Sequence, residues 1–282
     1  VQVEQIIAAS PKLARAYGFK SDLLLAKGDR AGSRKALEAA LEADPNFLPA
    51  RLSLISLLTD DGDYDAAGKL VEEARKQARG DLRVIYLDAS LAFRRGDMTR
   101  AREQVQQILK YAPDHVPSLV LAGAIDLREK QPTAAEINLR KAVSQAPNHA
   151  GARQLLVQTY LRTGEPAKAK ETLQPLVEKG MPSNPQLLLL AGETYLANGD
   201  VKAAGAFYQA ASSAGQAQGV AAKTRLGQIA LASGKADEGF KELEAASELD
   251  AGQYQADLAI IAGHLRRNEA DLLTSWLLPL MA

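Results

Sequence analysis

The chain has 282 residues, and its 34 Lys+Arg balance 34 Asp+Glu, so no net field draws nucleic acid or anionic lipid toward it. The absence of cysteine excludes disulfides, thiolate zinc sites, iron–sulfur clusters and a cysteine nucleophile. Hydrophobic residues make up 46% but aromatics only 5%, so the core must be built from aliphatic side chains and alanine, a bias that predicts an all-α fold.

No uncharged apolar run is long enough to span a membrane, and Val1 is followed by neither a basic segment nor an apolar one of the kind that directs secretion. A start at Val1 rather than Met suggests a processed or excised segment. At the other end Leu277, Leu278, Leu280 and Met281 are followed by no polar cap, so the native protein is expected to continue past Ala282.

In chain order, residues 1–13 read as an N-terminal helical segment, and a turn signal then recurs to the end. It stands at Gly28-Asp29, Gly62-Asp63, Gly96-Asp97, Lys130-Gln131, Gly164-Glu165, Gly199-Asp200, Gly234-Lys235 and Asn268-Glu269, at spacings of 34, 34, 34, 34, 35, 35 and 34. A fixed period in which a Gly or Asn closes one apolar helix and the next opens is the mark of a helix-turn-helix array. The repeats run 14–47, 48–81, 82–115, 116–149, 150–184, 185–219, 220–253 and 254–282.

Five residues into each turn stands a small side chain, Ser33, Ala67, Ala101, Ala135, Ala169, Ala204 or Gly239, where two helices must approach closely; Leu273 breaks the series. Four residues on, Leu37, Val71, Val105, Leu139, Leu173, Tyr208, Leu243 and Leu277 supply an apolar knob. Pro45, Pro113 and Pro147 then end the second helix. The first helix is marked by Leu156, Tyr160 and Gly164, and again by Ala191, Gly192, Tyr195 and Gly199.

On these residues the unit resembles the tetratricopeptide repeat (TPR), in about eight copies covering the whole chain. Arg79 and Gln216 depart from it where the family prefers a terminal proline. The two longer spacings place an extra residue near Gly180 to Pro185 and near Gly215 to Gly219, read as changes of pitch rather than linkers. The resemblance implies a right-handed superhelix, an α-solenoid, whose first helices line a concave groove.

Catalytic chemistry has little to work with, and no catalytic residue, metal or cofactor is expected. His115 and His149 follow Pro113-Asp114 and Pro147-Asn148 one repeat apart, as helix-start residues would. His264 replaces an aromatic of the first helix and is expected to be a packing residue. Asp61, Asp63, Asp65 and Glu72 mimic an EF-hand calcium loop, but Ala66 occupies the obligatory glycine position, and Ala67 and Val71 keep the phase of helix packing. No phosphate loop or nucleophile elbow is present.

The resemblance also fixes which first-helix positions face the groove. The candidate ligand-binding residues are Ser56, Tyr86, Ser90, Arg94, Arg128, Gln154, Gln158, Arg162, Glu193 and Gln228, with Thr224 among Leu52, Val120 and Leu189. TPR domains that hold chaperone tails carry Lys and Asn at the fifth and ninth positions. Here Gly18, Asp22, Leu52 and Ser56 stand in the first two repeats, which disfavours such an adaptor. Arg94, Arg128 and Arg162 lie 34 apart, with Arg266 in phase, and form either a carboxylate-reading row or residues that offset the helix dipole. Asp126 occupies the position of Tyr160 and Tyr195, where an acid needs a partner, most simply a local salt bridge.

The later repeats resemble the TPR lipoproteins of bacterial PEP-CTERM/exosortase and exopolysaccharide loci. The residues concerned are Pro185-Gln186-Leu187, Ala191-Gly192-Glu193, Tyr195-Leu196, Gly199-Asp200, Arg225-Leu226-Gly227, Leu243-Glu244-Ala245-Ala246, Ala256-Asp257-Leu258-Ala259 and His264-Leu265-Arg266-Arg267. That resemblance implies a non-enzymatic scaffold in the periplasm or at the outer membrane, with the cytoplasm left open. Its groove would bind a protein or peptide segment, with proteins of a polysaccharide system as partners and no nucleic acid. The alternative is a regulatory or substrate-selecting module cut from a larger enzyme such as a glycosyltransferase. A glycan-facing groove using Tyr86 is weaker, because sugar sites draw on more aromatic surface.

Overall fold

The computed structural model describes residues 2–178, 180–213, 216–249 and 254–267, and every regular element among them is a helix. The turn at Asn268-Glu269, Gly215, Leu273, Leu277 and the apolar end at Leu278, Leu280 and Met281 lie outside the described residues.

The helices fall into two compact units, Val1–Pro147 and Asn148–Ala282. The first holds α1 (Gln2–Ala9), α2 (Ala14–Ala26), α3 (Arg30–Ala43), α4 (Leu48–Asp60), α5 (Tyr64–Gln77), α6 (Leu82–Arg95), α7 (Met98–Tyr111), α8 (Val116–Arg128) and α9 (Pro132–Gln145). The second holds α10 (Ala150–Arg162), α11 (Pro166–Val177), α12 (Pro185–Ala197), α13 (Val201–Ser212), α14 (Gln216–Ala232), α15 (Ala236–Leu249) and α16 (Gln255–Arg266).

In the first unit α2/α3, α4/α5, α6/α7 and α8/α9 pack as hairpins, and the second helices α3, α5 and α7 also touch the following first helix. The first helices α2, α4, α6 and α8 touch one another in succession, whereas the second helices do not. The crowded row is therefore the inner, concave side of the unit and the splayed row the outer side. In the second unit α10, α12, α14 and α16 form the same inner row.

Local chemistry explains the hairpins. Gly28, Gly62, Gly96, Gly164, Gly199 and Gly234 close the first helices in the left-handed region, at φ between 74° and 87°, where an L side chain is strained. Lys130 takes this place in the fourth repeat at φ 59°. The next residue then opens the second helix: Asp29, Asp97 and Asp200 accept from the backbone N–H three residues on at 2.8, 3.0 and 3.0 Å. His115 and His149 are N-cap residues of α8 and α10, and His149 Nδ1 accepts from the Ala152 N–H at 3.1 Å.

The small-residue positions Ser33, Ala67, Ala101, Ala135, Ala169 and Ala204 are fully buried, and so are the knobs Leu37, Val71, Leu139, Leu173, Tyr208 and Leu243. Three knobs meet a glycine sixteen positions upstream, Leu139 at Gly123, Tyr208 at Gly192 and Leu243 at Gly227, and at the same offset Ala89 and Val105 share one core cluster. The largest knob needs the smallest socket, since a Cβ on Gly192 would lie 2.5 Å from Tyr208 Cε1. At the joints between repeats, Ala112 and Ala146 take φ/ψ of −132°/74° and −134°/79° ahead of Pro113 and Pro147.

Candidate functional site

The inner row of the first unit presents three parallel lines of side chains, because residues four apart share one helix face. Leu52 on α4, Tyr86 on α6 and Val120 on α8 form a half-buried apolar line. Beside it stand Ser56, exposed, and Ser90, half-buried. Arg94 and Arg128, both exposed, end α6 and α8 along the edge.

Each arginine reaches back to the preceding first helix. Arg94 Nη2 lies 3.5 Å from Asp60 Oδ1. Arg128 Nη1 donates to the Phe93 carbonyl at 3.1 Å, and its guanidinium sits 5.3 Å from the centre of the Phe93 ring. The Tyr86 ring meets His115 edge-on at 6.0 Å. Burial, and then the charge of Asp60, holds the Tyr86 hydroxyl above the usual phenol range.

In the second unit Gln154 is half-buried, while Gln158 and Arg162 on α10, Glu193 on α12 and Gln228 on α14 are exposed. Glu193 Oε1 lies 3.9 Å from Arg225 Nη2, a loose charge contact. Thr224 departs from expectation. It is 5% exposed, and its hydroxyl donates back to the Val220 carbonyl at 2.9 Å. The line it belongs to is half-buried at Gln154 and Leu189, and the shorter threonine sinks beneath it.

Several charged residues are sequestered, and sequence reasoning singled out only one of them, Asp126. This residue is buried, with Oδ1 2.8 Å from Arg102 Nη2 and Oδ2 accepting from Asn138 Nδ2 at 2.9 Å; Arg102 also binds Glu129. The hydrogen bond to Glu129 and then the contact with Asp126, working against desolvation, push the Arg102 guanidinium above its ordinary value. Asp88 is equally buried, 2.8 Å from Arg100 Nη2, and accepts from Gln104 at 3.0 Å. Arg51 places Nε 3.4 Å from Glu73 and donates to Gln77 and to the Pro45 carbonyl. The signal that could have found Asp88 and Arg51 was a charge at a core-phase position of a first helix.

The acids of the calcium-loop mimic serve other partners. Asp61 pairs with Arg30, Asp63 with Arg34, Asp65 with Arg95 and Glu72 with Arg75. His264 stacks on Phe240 at 4.1 Å with the rings 10° apart, a packing role. No described helix is long and apolar enough to cross a membrane.

Two family models match the chain, both described as tetratricopeptide repeat, one over residues 58–122 and 126–181 and the other over residues 20–81 and 155–219. No curated protein matches significantly. Among solved structures, a tetratricopeptide repeat protein from Parabacteroides merdae ATCC 43184 superposes with a TM-score of 0.59 at 17% identity, covering 89% of this chain and 98% of that one. The Pseudomonas aeruginosa PilF structure gives 0.58 at 17% identity, over 71% and 90% of the two chains. A chain of the APC/C hetero-tetramer Cut9-Hcn1 gives 0.71 at 17% identity; the match covers 94% of this chain but 55% of that one. At these identities the likeness concerns the fold.

Proposed function

Because the chain belongs to the tetratricopeptide-repeat family, a fold of protein-interaction scaffolds, we propose that it is a non-catalytic scaffold that seats a segment of a partner protein on its inner helix rows. The observation that carries this reading is the arrangement in the first unit. There the half-buried line Leu52, Tyr86 and Val120 runs beside the short polar side chains of Ser56 and Ser90 and ends at the exposed Arg94 and Arg128. Short side chains leave room for a guest backbone, the apolar line takes its side chains, and the arginines favour acidic groups along one edge. Gln154, Gln158, Arg162, Glu193 and Gln228 give the second unit a more polar surface of the same kind.

The finer reading is a scaffold of the bacterial envelope, serving exopolysaccharide export or PEP-CTERM protein sorting. Its support is the run of residues from Pro185 to Arg267 that resembles the lipoproteins of those systems.

A photo-crosslinking amino acid placed at Ser56 or Ser90 tests the inner-face reading, with the exposed outer residue Glu103 as control. Adducts to one partner segment from Ser56 and Ser90, absent from Glu103 and lost when Arg94 and Arg128 become Glu, are expected. Equal adducts from all three positions would overturn it. A partner drawn from the cytoplasm alone would overturn the envelope assignment and leave the scaffold standing.

A further inference from the structure

A second site lies on the outer side of the first unit, at the joint between α5 and α6. Ala78 there has φ −131° and ψ 67°, close to the conformation of Ala112 and Ala146 before their prolines. The backbone is thus preset for proline, which would also restrict the unfolded chain. The residue that follows is Arg79, so the reason for arginine must be sought in its side chain.

Arg79 borders a cavity of about 330 Å³ between α5 and α7, floored by α6. Arg75 lies on the same side, Gln104 and Gln107 line the opposite wall, and Val84 and Ile85 form an apolar floor with Asp88 at its base. The acids nearby are already engaged. Asp88 is held by Arg100 at 2.8 Å and by Gln104. Asp81 is bound by Arg83 at 2.7 Å, and Glu72 lies 3.3 Å from Arg75. Arg75 is 3.7 Å from Asp88, a looser contact. Among the described residues Arg79 makes no ion pair, so it remains as surplus positive charge at the mouth of the cleft.

We propose that this cleft binds a carboxylate of a partner polypeptide, foremost its free C-terminus. The guanidinium of Arg79, aided by Arg75, would take the carboxylate in a forked hydrogen bond. The amides of Gln104 and Gln107 offer both donors and acceptors to the last peptide group. Ile85, half-buried above the buried Val84, receives the final apolar side chain. This site does not depend on the inner-face reading, since none of its residues belongs to the inner lines.

The test is an NMR titration of the whole chain with three probes: acetyl-Ala-Val-Leu with a free carboxylate, its C-terminal amide, and acetyl-Ala-Glu-Leu-amide. The free acid is expected to shift Arg75, Arg79 and Gln107 side-chain signals saturably, with at least a ~10-fold loss of affinity for the amide. R79P restores the residue the backbone favours. It should abolish the shifts while raising Tm by about 1–2 °C, so loss of binding would not reflect loss of fold. R140Q, on α9 away from the cleft, should bind as the wild type does. Binding of the glutamate probe with the same R79P sensitivity would support the carboxylate site and move its source to a side chain. Equal binding of acid and amide, no saturable shift, or an undiminished response in R79P would overturn the proposal.

Discussion

Tyr208→Phe should stabilise the protein, although it removes a polar group from the core. The Tyr208 side chain is fully buried against Gly192, and its hydroxyl has no hydrogen-bond partner among the described residues. Leaving a buried hydroxyl unsatisfied costs ~1–3 kcal/mol, so its deletion should return about 1 kcal/mol at neutral pH, or a rise of ~2–4 °C in Tm. Burial, reinforced by the Glu193 charge and opposed by Arg225, pushes this phenol up from 10.0 to about 12. A raised phenol favours the neutral form in the folded state. Its contribution is therefore complete below pH 10 and is lost as pH rises toward 12. At pH 11 the loss amounts to about 1.4 kcal/mol, approaching ~2.7 kcal/mol above pH 12. Urea melts of wild type and Tyr208→Phe at pH 8, 10 and 11 isolate this residue from the other tyrosines and lysines, because only the difference between the two proteins is read. A difference that stays constant with pH, or a destabilised phenylalanine variant, would show that the hydroxyl is satisfied in solution and refute the reasoning.

Gly192→Ala should cost ~1–3 kcal/mol by driving a methyl into the Tyr208 ring, and adding Tyr208→Val, which copies the Ala89 and Val105 pairing, should recover most of it in the same melts. Lys130→Gly removes a side chain from the left-handed region and should gain ~1–2 kcal/mol. Gln131, which starts α9 without a side-chain cap, should yield about 1 kcal/mol more as Asp, read by differential scanning calorimetry. Arg102→Ala leaves the buried Asp126 carboxylate with Asn138 as its remaining hydrogen-bond donor and should cost about 3 kcal/mol; Arg102→Ala with Asp126→Asn should cost clearly less in a double-mutant cycle.

What was legible in the sequence is what recurs. The turn glycines, the small residues and the knobs are set by the geometry of two helices meeting, which is the same in every repeat, so each appears at the same phase; among the described residues the turn glycines lie exposed, and the small residues and knobs are buried. His115 and His149 were legible for the same reason. The partner of Asp126 was not, because Arg102 and Asn138 come from the two flanking second helices at unequal sequence distances, and no period links them. The burial of Thr224 depends on side-chain length rather than phase, which a face assignment does not resolve. The candidate inner-face residues were legible as faces of helices, whereas the ways Arg94 and Arg128 bind the preceding repeat required the structure.

The departures from the period also explain why the repeats of the first unit are not interchangeable. The same hairpin packing would let any repeat stack on any other. The buried charges differ, however: Arg51 on α4 is answered within its own hairpin by Glu73 and Gln77. Asp88 on α6 needs Arg75 from the preceding helix and Arg100 and Gln104 from the following one. Asp126 on α8 needs Arg102 behind it and Asn138 ahead. Residues Arg100 and Arg102 thus divide α7 between two acids, one on each neighbouring first helix. Exchanging the second and third repeats would leave Asp126 without Arg102, a buried carboxylate whose main partner had been removed, at a cost of ~3–5 kcal/mol. Apolar packing makes a stack of hairpins favourable, and these unequal charge pairs determine which hairpin follows which.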